Sequence, residues 1–359
     1  MKRTTVLSLI FSFLLALLAP AAFAQTLPPE ISGHETVTDA DKSQIADYVK
    51  ANTSGLTGKP KDIKDSRKAL LLPLEAPNVS LAFRTQYASE LLPTLTTLSA
   101  DPRDEVAFNA LRIAGELATN NSVDLLINAL KDKRPSVQYA ALLGLARTFE
   151  IMDPAQRKLG GGVLVDRLDK AITAIGANAR VQAGPQILDG AIIALSKAAV
   201  INDKTRGDVQ AHAVSEIAAI VQAQSSKLVG SDSPARANAL LRAALVVRTQ
   251  ATNPGANLAA PALKDAGGLA GDLLAAAARA AKAGNPDNLP LEQMVRAAEG
   301  LLFVANSNIP GSAPLQDLGL ADLVKAGKLD QYQVRVQEVI GKDGILCKKP
   351  YDYPPDRFK

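Results

Sequence analysis

The chain has 359 residues, 47% apolar, 21% charged and 4% aromatic, with one Cys, two His and no Trp. That is enough to bury one elongated domain or two compact ones, but it excludes a disulfide framework, a Cys/His-rich metal cluster and an aromatic platform for stacking single-stranded nucleic acid. The formal charge of +4 falls to +2 without Lys2 and Arg3, too little to draw the protein to nucleic-acid phosphates or anionic lipid.

Lys2-Arg3, the Leu-rich apolar run Val6 to Ala19, and Ala22-Phe23-Ala24 form the three parts of a secretory signal. Cleavage is expected after Ala24, leaving Gln25 as the first mature residue. Pro20 ends the run short of the roughly 20 apolar residues a membrane span needs. No Cys follows it, which speaks against a lipoprotein. The expected compartment is periplasmic or extracellular, with no membrane span in the mature chain. Cys347 has no partner for an internal disulfide.

Residues 25–79 read as a lead-in with capping helices. Gln25 to Glu35, with Pro28, Pro29 and Gly33, is expected to be extended and loosely held. Thr38 can cap a helix from about Asp39 to Ala51, and a shorter helix should span about Lys61 to Leu72. Ser80 can cap the next, which Pro93 is expected to kink.

Residues 80–310 read as helical repeats. Asp101-Pro102 is expected to start a helix, with Asp as the cap and Pro at the first position. Val106, Ala110, Ile113 and Leu117 then form one apolar stripe. Asn120 to Ser122 break and recap the chain, and a shorter helix runs to Leu130. The unit then restarts. Asp132, Arg134, Val137, Ala141 and Leu142 repeat Asp101, Arg103, Val106, Ala110 and Leu111 at an offset of 31, and Tyr139 stands where Phe108 stood.

This pattern, Asp-x-x-x-x-Val-x-x-x-Ala-Leu followed by a short Leu-x-x-Ala-Leu helix and a second copy, resembles HEAT-like helical repeats of the short bacterial type. The resemblance covers about Asp101 to Thr148. It implies an all-α fold, an α-solenoid of stacked antiparallel helix pairs, in which stacking buries faces that one pair leaves open. Such families usually carry an Arg after the Val. This chain has Ala107 and Gln138 there, so a charge ladder at that position is not implied.

Past Glu150 the period lengthens to roughly 50 residues. Asp153-Pro154 can start a helix, and Gly160-Gly161-Gly162 is read as a turn, since it lacks the Lys-Ser/Thr of a phosphate loop. Further helices are expected at Val163 to Ile175, from Pro185, at Arg206 to Ala223, from Ser233-Pro234, at Ala262 to Ala283 with an interruption at Gly267-Gly268, and at Leu291 to Ala305. A separate helical bundle in this half is the alternative to one solenoid. Residues 311–359 read as a cap and tail: a short helix from Leu315 to Ala326, a strand or helix from Gln331 to Ile340, and an irregular end rich in Pro and aromatics.

No catalytic constellation stands out. His34 and His212 lie in no ligand or general-base spacing, no Ser sits in a nucleophile elbow, and neither a cofactor nor a metal site is expected. Lys131, Lys133 and Arg134 form a basic turn, either a solvated match to a helix C-terminus or a binding element. Lys348, Lys349, Tyr351, Tyr353 and Phe358 suit docking, into a partner or back onto the solenoid itself. The expected function is a non-enzymatic interaction or scaffold module, binding a protein or peptide in the cell envelope and not nucleic acid. An accessory or lyase-like subunit of an envelope enzyme system, or a self-assembling envelope component, are the alternatives.

Overall fold

The computed structural model describes residues 26–153, 163–181, 184–201, 208–228, 233–253, 255–256, 258–283 and 290–359. The expected export signal, the expected turn at 160–162, Pro154, Arg206, Pro254 and the side chain of Ser233 lie outside the described residues. Regular structure among the described residues is entirely helical, and the chain divides into two compact units, one up to Leu91 and one from Leu92.

The first unit is built on α1 (Asp39–Thr53), α2 (Pro60–Leu71) and the first half of α3 (Leu81–Ser99). Thr38 caps α1 as its sequence predicts: its hydroxyl oxygen accepts from the Asp41 N–H, and the Asp41 carboxylate accepts from the Thr38 N–H at 2.9 Å. Ile45, Leu56, Ile63, Leu70 and Leu74 are buried around a stacked Phe83–Tyr87 pair. The Tyr48 and Tyr87 hydroxyls donate to the carbonyls of Ala69 and Leu70, so each ring is buried with its polar end satisfied. The lead-in departs from expectation. Pro29–Gly33 forms a 3-10 turn that buries Ile31. The Ser80 N–H donates to the Ser32 carbonyl at 2.8 Å and its hydroxyl to that of His34. One apolar anchor and one serine hold a segment that its prolines alone would leave loose.

The helix α3 is not ended by Pro93, and the boundary between the units falls beside that residue.

The second unit contains α4 (Asp104–Leu117), α5 (Asn120–Ala129), α6 (Pro135–Met152), α7 (Val165–Val181), α8 (Pro185–Ala198), α9 (Val209–Ser225), α10 (Ser233–Thr252), α11 (Ala260–Lys282) and α12 (Leu291–Asn308). They pack as a solenoid in two rows. In the first row α4, α6, α8, α10 and α12 follow one another; in the second, α5, α7, α9 and α11 do. The expected stripes point inward: Val106, Ala110, Ile113 and Leu117 are buried, as are Val209, Ala213, Ile217 and Ile220.

The repeat at offset 31 is literal. Its helices begin at Asp104 and Pro135, with Arg103 and Arg134 as their N-caps. This corrects the expected start at Asp101-Pro102. The Asp101 carboxylate accepts from the Arg103 N–H and guanidinium, forming a turn ahead of the helix, and Asp132 treats Arg134 the same way. The cap of α5 is Thr119 together with Ser122, the last residue of the expected Asn120 to Ser122 recap. Helices α4 and α6 approach closely at Gly115 and Gly144: a Cβ on Gly115 would stand 2.6 Å from the Gly144 Cα. Ala110 and Ala141 are buried as expected, but the glycines set the spacing.

Ion pairs cross between successive helices. Arg147 bridges Glu116 and Glu150, and Lys197 reaches Glu150 at 2.7 Å. Arg242 meets Asp189 at 3.0 Å, and in the second row Arg167 meets Asp124 and Arg180 meets Glu216. Ion pairs between neighbouring helices of a row thus occur at positions other than the residue after the Val.

The C-terminal segment forms α13 (Leu320–Lys325), α14 (Leu329–Arg335) and α15 (Gln337–Ile340). The first is shorter than predicted because Gly319 is left-handed and Glu299 caps the helix from outside, accepting from the Leu320 and Ala321 N–H groups. The Gln331 to Ile340 stretch is helical, with Tyr332 fully buried and its hydroxyl donating to the Leu274 carbonyl. Finally, α11 is not interrupted at Gly267-Gly268, since the tail packs on those glycines and fills the space their missing side chains leave.

Candidate functional site

Two surface grooves and one internal docking site bring together the chemically distinctive residues of the second unit. The larger groove, about 710 Å³, runs across the N-terminal turns of α4, α6, α8 and α10. Phe108, Tyr139, Gln186, Asp189, Asn238 and Arg242 line it. Phe108 and Tyr139 are repeat equivalents, half-buried at one end; the Asp189–Arg242 pair lies at the other. Helices of one row present equivalent turns side by side, so a single register position becomes a line of side chains across the stack.

The smaller groove, about 540 Å³, lies where the α5–α6 turn meets α7 and the start of α8. Lys131 and Lys133 stand exposed on it, with Ile127, Leu130 and Ile187 among its apolar lining. Arg134, the third member of the predicted basic turn, is used differently. It pairs with Asp132 and Asp104 and donates to the carbonyls of Asp101 at 2.7 Å and Ser99 at 3.4 Å, tying one repeat to the one before. The neighbouring Asp101 carboxyl is held down at about 2 by its bonds from the Arg103 guanidinium and N–H.

The C-terminal tail is docked on α11. Tyr351 and Phe358 are buried, Tyr353 is half-buried, and Lys348 and Lys349 are exposed. The Tyr351 ring lies on Gly267, Tyr353 and Arg357 on Gly268, and Phe358 with Leu346 on Gly271. The Tyr353 hydroxyl donates to the Lys264 carbonyl, and the Arg357 guanidinium sits 4.0 Å above the Tyr353 ring. Beneath it Arg357 meets the buried Asp272 at 2.9 Å, and Arg279 donates to the Lys359 carbonyl. Burial outweighs the attraction of Arg357 and pushes the Asp272 carboxyl up to about 6. Burial likewise raises Tyr351, and Tyr353 to about 12. Of the two tail-docking alternatives, this arrangement is the intramolecular one.

Sequence reasoning passed over Asp272, yet a signal was present. Asp265, Asp272 and Arg279 recur every seven residues in an Ala-rich run and so share one helix face, with Gly268 between the first two. His34 pairs with Asp41 at 3.1 Å in the first unit, and His212 with Asp169 at 2.9 Å in the second. Burial and Asp343 raise the Cys347 thiol. Among the described residues no group of His, Cys, Asp and Glu is placed to hold a metal ion, and no helix is long and apolar enough to cross a membrane.

Stacked helix pairs, a literal repeat and cross-helix ion pairs define the chain as a helical repeat protein. No known family model and no curated protein matches it. Among solved structures, a designed armadillo repeat protein in complex with the peptide (KR)4 aligns over 70% of this chain and 98% of its own, at 14% identity and a TM-score of 0.38. Two engineered proteins align over 88% and 72% of this chain and 92% and 96% of their own, at 14% and 16% identity, with TM-scores of 0.31 and 0.29. At these scores the likeness bears on neither site nor partner; the fold rests on the packing of α4 to α12.

Proposed function

We propose that this protein is an exported, non-enzymatic interaction scaffold whose repeats are of the short HEAT-like type. Its partner is a protein segment laid across the first row of helices. The carrying observation is the groove of about 710 Å³ to which α4, α6, α8 and α10 all contribute. One end offers two aromatic rings for apolar contact. The other offers Gln186 and Asn238 amides, suited to peptide N–H and C=O groups. Export rests on the sequence alone, on the Lys2-Arg3 region, the apolar run and Ala22-Phe23-Ala24.

The test is capture of envelope proteins on the full mature chain beside a Phe108→Ala/Tyr139→Ala variant, quantified by mass spectrometry. One dominant partner should fall at least tenfold in the variant, because aromatic anchors carry a disproportionate share of interface energy. Equal recovery by both proteins, or no reproducible partner, overturns the reading.

A further inference from the structure

The smaller groove has a charge and hydrogen-bonding character that the scaffold role alone does not explain. Lys131 and Lys133 are exposed on it and neither has an ion-pair partner among the described residues. The one acid in the lining, Asp132, is already spent on Arg134, which donates to it through Nε at 3.1 Å and Nη2 at 3.0 Å. The rim is therefore net positive. Deeper in, the Asn178 Nδ2 donates to the Leu130 carbonyl at 2.9 Å, while its Oδ1 is buried with no hydrogen-bond partner. A buried acceptor without a donor is costly, and a ligand N–H would relieve that cost. The α5 C-terminus does not cancel the positive field: its Leu126, Asn128 and Ala129 carbonyls already accept from Leu130, Lys131 and Asp132.

We propose that this groove docks an acidic peptide segment of a partner protein. Carboxylates meet the Lys131 and Lys133 ammonium groups, a backbone N–H meets Asn178 Oδ1, and an intervening apolar side chain rests on Ile127, Leu130 and Ile187. At about 540 Å³ the groove falls within the span of ligand pockets, about 300–1,000 Å³. Among their lining residues it shares only Pro135 with the larger groove, so the proposal stands apart from the first-row reading.

The probe is a fluorescein-labelled, acetylated and amidated Glu-Leu-Glu-Leu-Glu peptide, followed by anisotropy with the full mature chain. Binding should weaken with added salt. It should fall at least tenfold for Lys131→Ala/Lys133→Ala, and at least tenfold when Gln replaces Glu in the peptide. Both lysines are exposed, so the variant should fold; unchanged circular dichroism checks this. The charge-reversed Lys131→Glu/Lys133→Glu protein should instead take the Lys-Leu-Lys-Leu-Lys peptide. Equal binding of the neutral peptide, undiminished binding by the alanine variant, or displacement by equimolar inorganic phosphate overturns the proposal. Absence of probe binding alongside partner capture that still depends on Tyr139 sinks this inference alone.

Discussion

Replacing Gly267 by Ala tests whether the tail dock is a close fit. In an exposed helix interior the exchange stabilises by about 1 kcal/mol, through backbone entropy. Here a Cβ would overlap the Tyr351 ring, with Cδ1 and Cζ both 2.9 Å away. The ring is only 4% exposed and cannot swing clear without leaving its site. Overpacking of a filled core costs about 1–3 kcal/mol, and expelling the ring forfeits about 2 kcal/mol of burial. The expected net effect is a loss of up to about 2 kcal/mol, read as a lower urea midpoint by far-UV circular dichroism. The decisive comparison is the same substitution in a Tyr351→Ala background. With the ring gone, Gly267→Ala should change sign and stabilise by about 1 kcal/mol. Stabilisation in the wild-type background, or an equal effect in both, would refute the account of α11 as a helix cut to receive the tail.

Two further outcomes follow from the straps and the buried pair. Arg134→Ala should cost about 2 kcal/mol, since it removes charged hydrogen bonds to the preceding repeat. Arg103→Ala, at the equivalent position but with its side chain 52% exposed, should move the denaturant midpoint far less; equal midpoint shifts would show that Arg134 does not tie the repeats. Asp272 binds its proton more tightly in the folded than in the unfolded chain, at about 6 against 3.8, with Arg357 and Arg279 as the charges that act on it. Its stabilising contribution is therefore complete below about pH 3.8 and lost as pH rises through about 6, a change of roughly 3 kcal/mol. Relative to Asp272→Asn, which does not titrate at this position, the wild type should lose that much stability between about pH 4 and pH 7, and a pH-independent difference would argue against a desolvated carboxyl.

The sequence by itself determined the helices and the repeat. Apolar stripes at helical spacing, Thr38 and Ser80 at helix starts, and the 31-residue restart at Asp132 are local patterns, and local backbone chemistry realises them almost unaltered. Lys131 and Lys133 were legible as a basic turn for the same reason. What only the tertiary structure decided concerns residues whose roles depend on distant partners. Gly267 and Gly268 look like a helix break until Tyr351 and Tyr353, some 84 and 85 positions later in the chain, cover them. Asp101 looks like a helix cap until Arg103 claims its carboxylate. Pro28 and Pro29 look like a loose entry until Ser80 fastens the turn beside them. Arg134 and Lys133 are neighbours of the same charge, yet one is spent holding two repeats together and the other faces an open groove. Periodicity fixes which face of a helix is apolar, but which polar groups are consumed by packing and which are left for a partner is set by contacts between segments far apart in the chain.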